Sequence, residues 1–113
     1  IKGIKLISGQ VETESTEILK SIAFDIRKSY ENSIVVIGAV IAGKANLLVM
    51  VSDKLVSEKN LNAVNIIREI SGEINGGGGG QPFLATAGGK NPDGIVKAIA
   101  KAEENIRKTI ESV

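Results

Sequence analysis

Five consecutive glycines, Gly76 to Gly80, constrain this chain more than any other feature. Glycine loses more backbone freedom on ordering than any other residue, so such a run is either a flexible tether or a tightly specified segment. The residues after it favour the second. Gln81, Pro82 and Phe83 lead into Leu84-Ala85-Thr86-Ala87, a strand-sized segment closed by Gly88-Gly89. A strand so close to the end of a helix reads as a compact crossover. A glycine loop there can bring backbone N–H groups to an anion, or let another backbone pass where a Cβ would clash. Gly76 to Gly80 is therefore expected to be a glycine-rich loop before the fourth strand, in which a β-branched residue at Gly78 or Gly79 is disruptive.

The named phosphate motifs do not fit this stretch. A Walker pattern needs a glycine five residues before the Gly of Gly-Lys and a Ser or Thr after it, but Leu84 and Asn91 occupy those places around Gly89-Lys90. The dinucleotide fingerprint follows a strand and has a different glycine spacing, whereas this run follows a helix. A nucleotide-binding enzyme is disfavoured.

The composition narrows the chemistry further. Cysteine and histidine are both absent, so zinc sites, disulfides and Ser-His or Cys-His nucleophile systems cannot be built from this chain. No catalytic or metal-ligating residue is assigned. With 14 basic and 13 acidic residues the net charge is +1, so the molecule as a whole presents no strong field to nucleic acid. Any RNA contact must come from a local patch, and with Phe24, Tyr30 and Phe83 as the aromatics, base stacking on side chains is sparse. The 113 residues suit one domain, residues 1–113. The sequence begins at Ile1 without an initiator Met, which suggests a piece of a longer chain. Gly43, Lys44 and Asn46 break the longest apolar run, which stays short of the roughly 18 residues of a membrane span. A soluble, cytoplasmic domain without a membrane partner is expected.

Periodicity gives the order strand, helix, strand, strand, helix, strand, helix. Ile4 to Val11 reads as the first strand. Thr13, Ser15 and Thr16 offer caps, with Glu14 and Glu17 near the positive end of the following helix. Ile18, Ile22, Ile26 and Tyr30, flanked by Leu19 and Ala23, mark its apolar face, while Lys20, Arg27 and Lys28 read as a solvated one. Ile34 to Ile41 and Leu47 to Val51 form a hairpin with Lys44 at its tip. Ser57 is a cap for a second helix bearing Leu61, Val64, Ile67 and Ile70. Asn91, Pro92 and Asp93 read as N-cap, first helical residue and first-turn acid, opening a helix with the stripe Ile95, Ile99, Ala102, Ile106, Ile110 and Val113. The expected fold is α/β (α+β), βαββαβα: a split βαβ unit with an added helix, or a related mixed sheet with helices packed on it.

The run Gly76 to Gly80, then Gln81-Pro82, an apolar pair, Ala85-Thr86-Ala87, Gly88-Gly89-Lys90 and Asn91-Pro92-Asp93 resembles the signature of the DHHA1 domain in its alanyl-tRNA synthetase form. The resemblance implies a mixed α/β domain at the C-terminal end of a synthetase. It implies that the domain holds tRNA(Ala), links the charging and editing halves upstream in the same chain, and in some members contributes to a homodimer. ATP and zinc are implied for the parent enzyme and no cofactor for this piece. The competing expectation is a DHHA1 substrate-binding domain of a DHH-family phosphoesterase, whose Asp and His metal ligands this chain lacks. A purely structural dimerisation domain is a third. Lys90 is the first candidate for a phosphate contact, because it precedes the last helix and its anion-favouring N-terminus. Lys44 at the hairpin tip is the second, and Gln81 can add a hydrogen bond. Gly76, Gly77, Gly78, Gly79, Gly80, Gly88 and Gly89 carry the motif, with backbone conformation as their main role.

Overall fold

The computed structural model describes residues 3–30, 32–59 and 61–111. The strands are β1 (Lys5–Gln10), β2 (Ser33–Ile41), β3 (Lys44–Val51), β4 (Gly76–Gln81) and β5 (Leu84–Gly89). The helices are α1 (Thr16–Ser29), α2 (Asp53–Lys59), α3 (Ala63–Ile70) and α4 (Ile95–Glu111), with 3-10 turns at Ser71–Ile74 and Pro92–Gly94. The strands form one mixed sheet in the order β1-β2-β3-β5-β4. β1 runs parallel to β2, and the remaining pairs are antiparallel. The expected mixed sheet with helices packed on it is present. β1 and β2 are direct neighbours rather than the separated pair of a split βαβ unit.

The continuous apolar character of β2 and β3 follows from their place in the middle of this sheet, covered on both faces. On one face Val35, Ile37, Ala39, Leu48 and Met50 pack against Leu19 and Ala23 of α1. On the other, Ile34, Val36, Leu47, Val49 and Val51 meet α2, α3 and α4 through Leu55, Ile67, Ile70 and Ile99. Each of these large apolar side chains contributes on the order of 1.5–3 kcal/mol on full burial. The backbone between the two strands reverses at Ala42-Gly43, both at positive φ, 51° and 78°. This is the two-residue turn geometry that suits the twist of a hairpin. Lys44 is consequently not at the tip but the first residue of β3, paired with Ile41.

Several local expectations shift. Ser15 is the cap of α1, its Oγ accepting from Ile18 N at 3.1 Å. The apolar stripe of α1 is centred on Leu19 and Ala23, leaving Ile18 half exposed, because the helix meets the sheet along that line. Ser57 caps nothing. It lies inside α2, and its Oγ donates to the Lys54 carbonyl. Asn62 caps the separate helix α3, with Oδ1 accepting from Val64 N at 2.9 Å and Asn65 N at 3.4 Å. Asn91 does not cap α4 either. A 3-10 turn intervenes, and Asn91 Nδ2 instead donates to the Glu73 carbonyl, tying together the two 3-10 turns. The α4 stripe from Ile95 to Ile110 is buried as expected, while Val113 lies outside the described residues.

The largest correction concerns the glycine run. It is no loop but a strand, and it forms the sheet edge opposite β1. Asn75, in the left-handed conformation at φ 52° and ψ 49°, turns the chain out of the preceding 3-10 turn into β4. Polyglycine has little strand propensity of its own. Here the ladder to β5 holds it, and it approaches β5 closely at alternate positions. A Cβ on Gly76, Gly78 or Gly80 would overlap β5 backbone at the Gly88, Thr86 and Leu84 carbonyls respectively. A Cβ on Gly77 or Gly79 would meet nothing within 4 Å. The expectation that Gly78 and Gly79 both refuse a β-branched side chain therefore stands for Gly78 only.

Thermal unfolding will separate the two positions. Gly78→Val should lose roughly 3 kcal/mol or fail to fold, as an overpacked backbone contact requires. Gly79→Val should stay within about 0.5 kcal/mol of the parent. Equal losses would contradict the register of β4 on β5. Asn62→Ala should cost about 1 kcal/mol through loss of the α3 cap, measured the same way.

Candidate functional site

The antiparallel register carries the alternation of β3 across to the edge. Asn46, Gly88 and Gly77 lie in one row, and Leu48, Thr86 and Gly79 in the next, all on the face that α1 covers. The side chains of Leu19 and Ala23 seat α1 over β2 and β3. Beyond it, β5 and β4 present Thr86 and bare glycine backbone. The result is a trough with α1 as one wall and the glycine hairpin as its floor.

Three adjoining hollows make up this trough. The first, about 450 Å³, is lined by Lys44, Lys90, Asn46, Asn75 and the Gly88-Gly89 pair. The second, about 370 Å³, is bounded by Thr16, Leu19 and Lys20 of α1 and floored by Gly77, Gly79 and Thr86. Asn46 and Gly88 belong to both. The third, about 230 Å³, contains Gln81, Phe83 and Leu84 and shares Lys20, Gly79 and Thr86 with the second. The hollows thus run along β5 from its Gly89 end to its Leu84 end, roughly 17 Å at the usual strand rise.

The charge in the trough is one-sided. Among the described residues, Lys20, Lys44 and Lys90 line it, and no Asp or Glu does. All three lysines are exposed, and among the described residues none takes part in an ion pair. The cations that are paired lie elsewhere: Arg27 with Asp53 at 2.8 Å, Lys101 with Glu73 and Lys108 with Glu104. Arg27 also stands 5.9 Å from the Phe83 ring centroid, which ties the β4–β5 turn to α1. That turn is fastened further by Val51 N donating to the Phe83 carbonyl and Ala63 N donating to the Pro82 carbonyl.

The candidates named from sequence divide accordingly. Lys90 and Lys44, 46 positions apart in the chain, share one hollow because β3 and β5 are neighbours. Gln81 stands at the opposite end of the trough, next to Lys20. Lys90 is separated from α4 by the Pro92–Gly94 turn, so it does not enter the first turn of that helix. Lys20, Asn46 and Thr86 were not singled out from sequence. Lys20 reads there as a solvated helix lysine, and only the packing of α1 turns it toward the glycine floor. Among the described residues no cluster of acidic side chains suited to a metal ion occurs, and no helix is long and apolar enough to cross a membrane.

Comparison with known proteins agrees with this architecture. The DHHA1 domain family matches residues 3–108. Alanine–tRNA ligase of Cytophaga hutchinsonii is 44% identical over 92% of the chain, and that of Bacteroides fragilis 48% identical over 92%. The chain spans 12% of the length of each. Among solved structures, the C-Ala domain of Aquifex aeolicus alanyl-tRNA synthetase superposes with a TM-score of 0.78 at 32% identity, covering 88% of this chain and 87% of that one. A DHH-domain protein described as a member of the s1p family of ribosomal proteins superposes at 0.54 with 18% identity, over 83% of this chain and 24% of that one. That likeness is one of fold alone.

Proposed function

We propose, because this chain belongs to the DHHA1 domain family in its alanyl-tRNA synthetase form, that it is the part of an alanine–tRNA ligase that holds tRNA. In this reading, upstream domains charge tRNA(Ala) with alanine and hydrolyse mischarged products, using ATP and zinc that this domain does not itself bind. The domain then works in the cytoplasm and serves as the link between those halves. A homodimer through this domain is compatible with the reading but is not required by it.

The observation that carries the proposal is the trough, lined among the described residues by three lysines and no carboxylate, in a chain whose net charge is +1. Local concentration of one sign supplies the field that the overall composition lacks. Lysine ammonium groups are suited to phosphate as point charges, and the glycine floor lets a backbone come close. Lys44 and Lys90 together form the phosphate grip at one end, and Lys20 stands farther along. The phosphoesterase alternative draws only on a shared fold at 18% identity, whereas the ligase reading draws on relatives that match nearly the whole chain.

Salt titration of tRNA binding tests the grip. Three phosphate contacts give a slope of log K against log salt of about −2 to −2.7, at ~0.7 per contact on single strands and ~0.9 on duplex. Lys90→Ala and Lys44→Ala should each weaken binding and flatten the slope by about one contact, with an unchanged circular dichroism spectrum, since both side chains are exposed. A flat titration, or full affinity in both variants, would remove the phosphate site. In the same preparation, mischarged tRNA should survive with its uncatalysed half-life, because the chain contains neither histidine nor cysteine for the zinc chemistry of editing. Measurable deacylation by this chain alone would overturn that division of labour.

A further inference from the structure

The sheet has two edges, and they differ in what they can pair with. β4 bears no side chain before Gln81, so it has little with which to fix a register against another strand. β1 is the other edge, and among the described residues no strand pairs with its outer side. Lys5 N donates to the Asn32 carbonyl and Val11 N to the Gly38 carbonyl, so the odd-numbered residues of β1 direct their backbone groups toward β2. Leu6, Ser8 and Gln10 therefore direct theirs outward. Natural edges are blunted by charges, prolines or bulges, and Leu6 to Gln10 contains none of these.

The side chains beside this edge are as open as its backbone. On the face that α1 covers, Ile7 lies in the row of Val35 and Gly9 in the row of Ile37, and a Cβ on Gly9 would meet nothing within 4 Å. Because Lys20 of α1 is turned to the trough, the helical period turns Ile18 and Ile22 the other way, above β1, where Ile18 stays half exposed. On the opposite face, Ser8 Oγ donates to Glu103 of α4. The same side of α4 carries Arg107 and Val96, and at 68% Val96 is the most exposed large apolar side chain among the described residues.

Charge is graded along the edge. α1 runs back over β1, so that Tyr30 at its C-terminal end holds its ring 5.0 Å from the Lys5 ammonium. The other end of β1 opens into a hollow of about 500 Å³ lined by Val11, Glu12, Thr13 and Glu14 and, among the described residues, by no cation. One end of the edge is thus basic and the other acidic, a pattern complementary to itself after a half-turn.

We propose that β1 pairs antiparallel with β1 of a second copy of this chain, about a two-fold axis at Ser8. Only residues with outward backbone groups can exchange hydrogen bonds, so Ser8 faces Ser8 and Leu6 faces Gln10 of the second copy. Of the registers this parity allows, the one centred on Ser8 sets Ile7 opposite Gly9, one copy's side chain entering the other's open space beneath Ile18. It also sets Lys5 opposite Val11, with its ammonium at the hollow of Glu12 and Glu14. On the α4 face, Arg107 of one copy meets Glu103 of the other, and Val96 is covered. The contact is isologous and closes as a dimer. Both lysine troughs lie at the outer ends of the joined sheet, so the dimer neither rests on the tRNA-holding reading nor obstructs it. One edge strand and its flanks fall short of the ~800 Å² per partner of standard interfaces, which sets the expected Kd at roughly 10–100 μM.

Sedimentation equilibrium of the 113-residue chain from ~1 μM to ~1 mM should show a monomer–dimer equilibrium. Hydrogen exchange across the same series identifies the surface: the amides of Leu6, Ser8 and Gln10 should slow as the concentration rises, while those of Ile7 and Gly9, bonded to β2, are slow throughout. Lys5→Glu should weaken the dimer about tenfold, and so should Glu12→Lys combined with Glu14→Lys. All three substitutions together should restore it, because each charge again meets its opposite across the axis. These side chains are exposed, so circular dichroism should stay unchanged in every variant. A dimer whose Leu6, Ser8 and Gln10 amides exchange freely, or a triple variant no stronger than the partial reversals, would overturn the β1 pairing. A chain that stays monomeric to ~1 mM would overturn it as well, leaving the edge to a different polypeptide.

Discussion

The backbone of β4 lies against β5 so closely at Gly76, Gly78 and Gly80 that no Cβ fits, and the shape of this side of the molecule depends on that contact. Because the edge strand bears no side chains before Gln81, it adds a strip of sheet without adding height. α1 is seated over β2 and β3 by Leu19 and Ala23, and among the described residues no second element covers the face beside it, over β5 and β4. The trough is the direct product of a helix that stops and a strand that is flat. An edge strand of ordinary residues would fill it, and an unpaired glycine run would leave it without a floor.

The two faces of the sheet divide the work. The face toward α2, α3 and α4 holds the larger apolar cluster and anchors both ends of the glycine hairpin. Ile74 and Glu73 press their carbonyls against Gly89 and Gly94, and Ala63 N holds the Pro82 carbonyl. The opposite face is covered only in part and carries the lysines. Rigidity and access are thereby separated: what positions the hairpin is buried under it, and what a ligand could touch is above it. Placing functional groups on strands rather than on a free loop keeps their spacing constant.

Charge follows the same division. The balanced totals of the chain hide an uneven distribution, since Arg27, Lys101 and Lys108 are partnered by carboxylates while Lys20, Lys44 and Lys90 share a hollow surface that, among the described residues, holds none. Exposed ion pairs contribute little to stability, so their value here lies less in energy than in which cations they leave available. Three lysines thus gather along one trough of a molecule whose net charge is only +1.

The sequence by itself determined the apolar hairpin of β2 and β3, the buried stripe of α4, the lack of imidazole and thiol chemistry, and the family motif from Gly76 to Asp93. Each of these is written in contiguous residues, as a run, a period or a composition, and needs no knowledge of distant neighbours. Only the tertiary structure decided that the pentaglycine is a strand, that Asn91 ties down Glu73 rather than capping a helix, and that Lys20, Lys44 and Lys90 face one trough. Polyglycine has no side-chain alternation to reveal its period, and its ladder to β5 is a property of the pair rather than of either segment. The distinction between Gly78 and Gly79 is likewise invisible along the chain, where the two are identical neighbours. It arises because successive strand residues face opposite sides, one against the β5 backbone and the other toward open space.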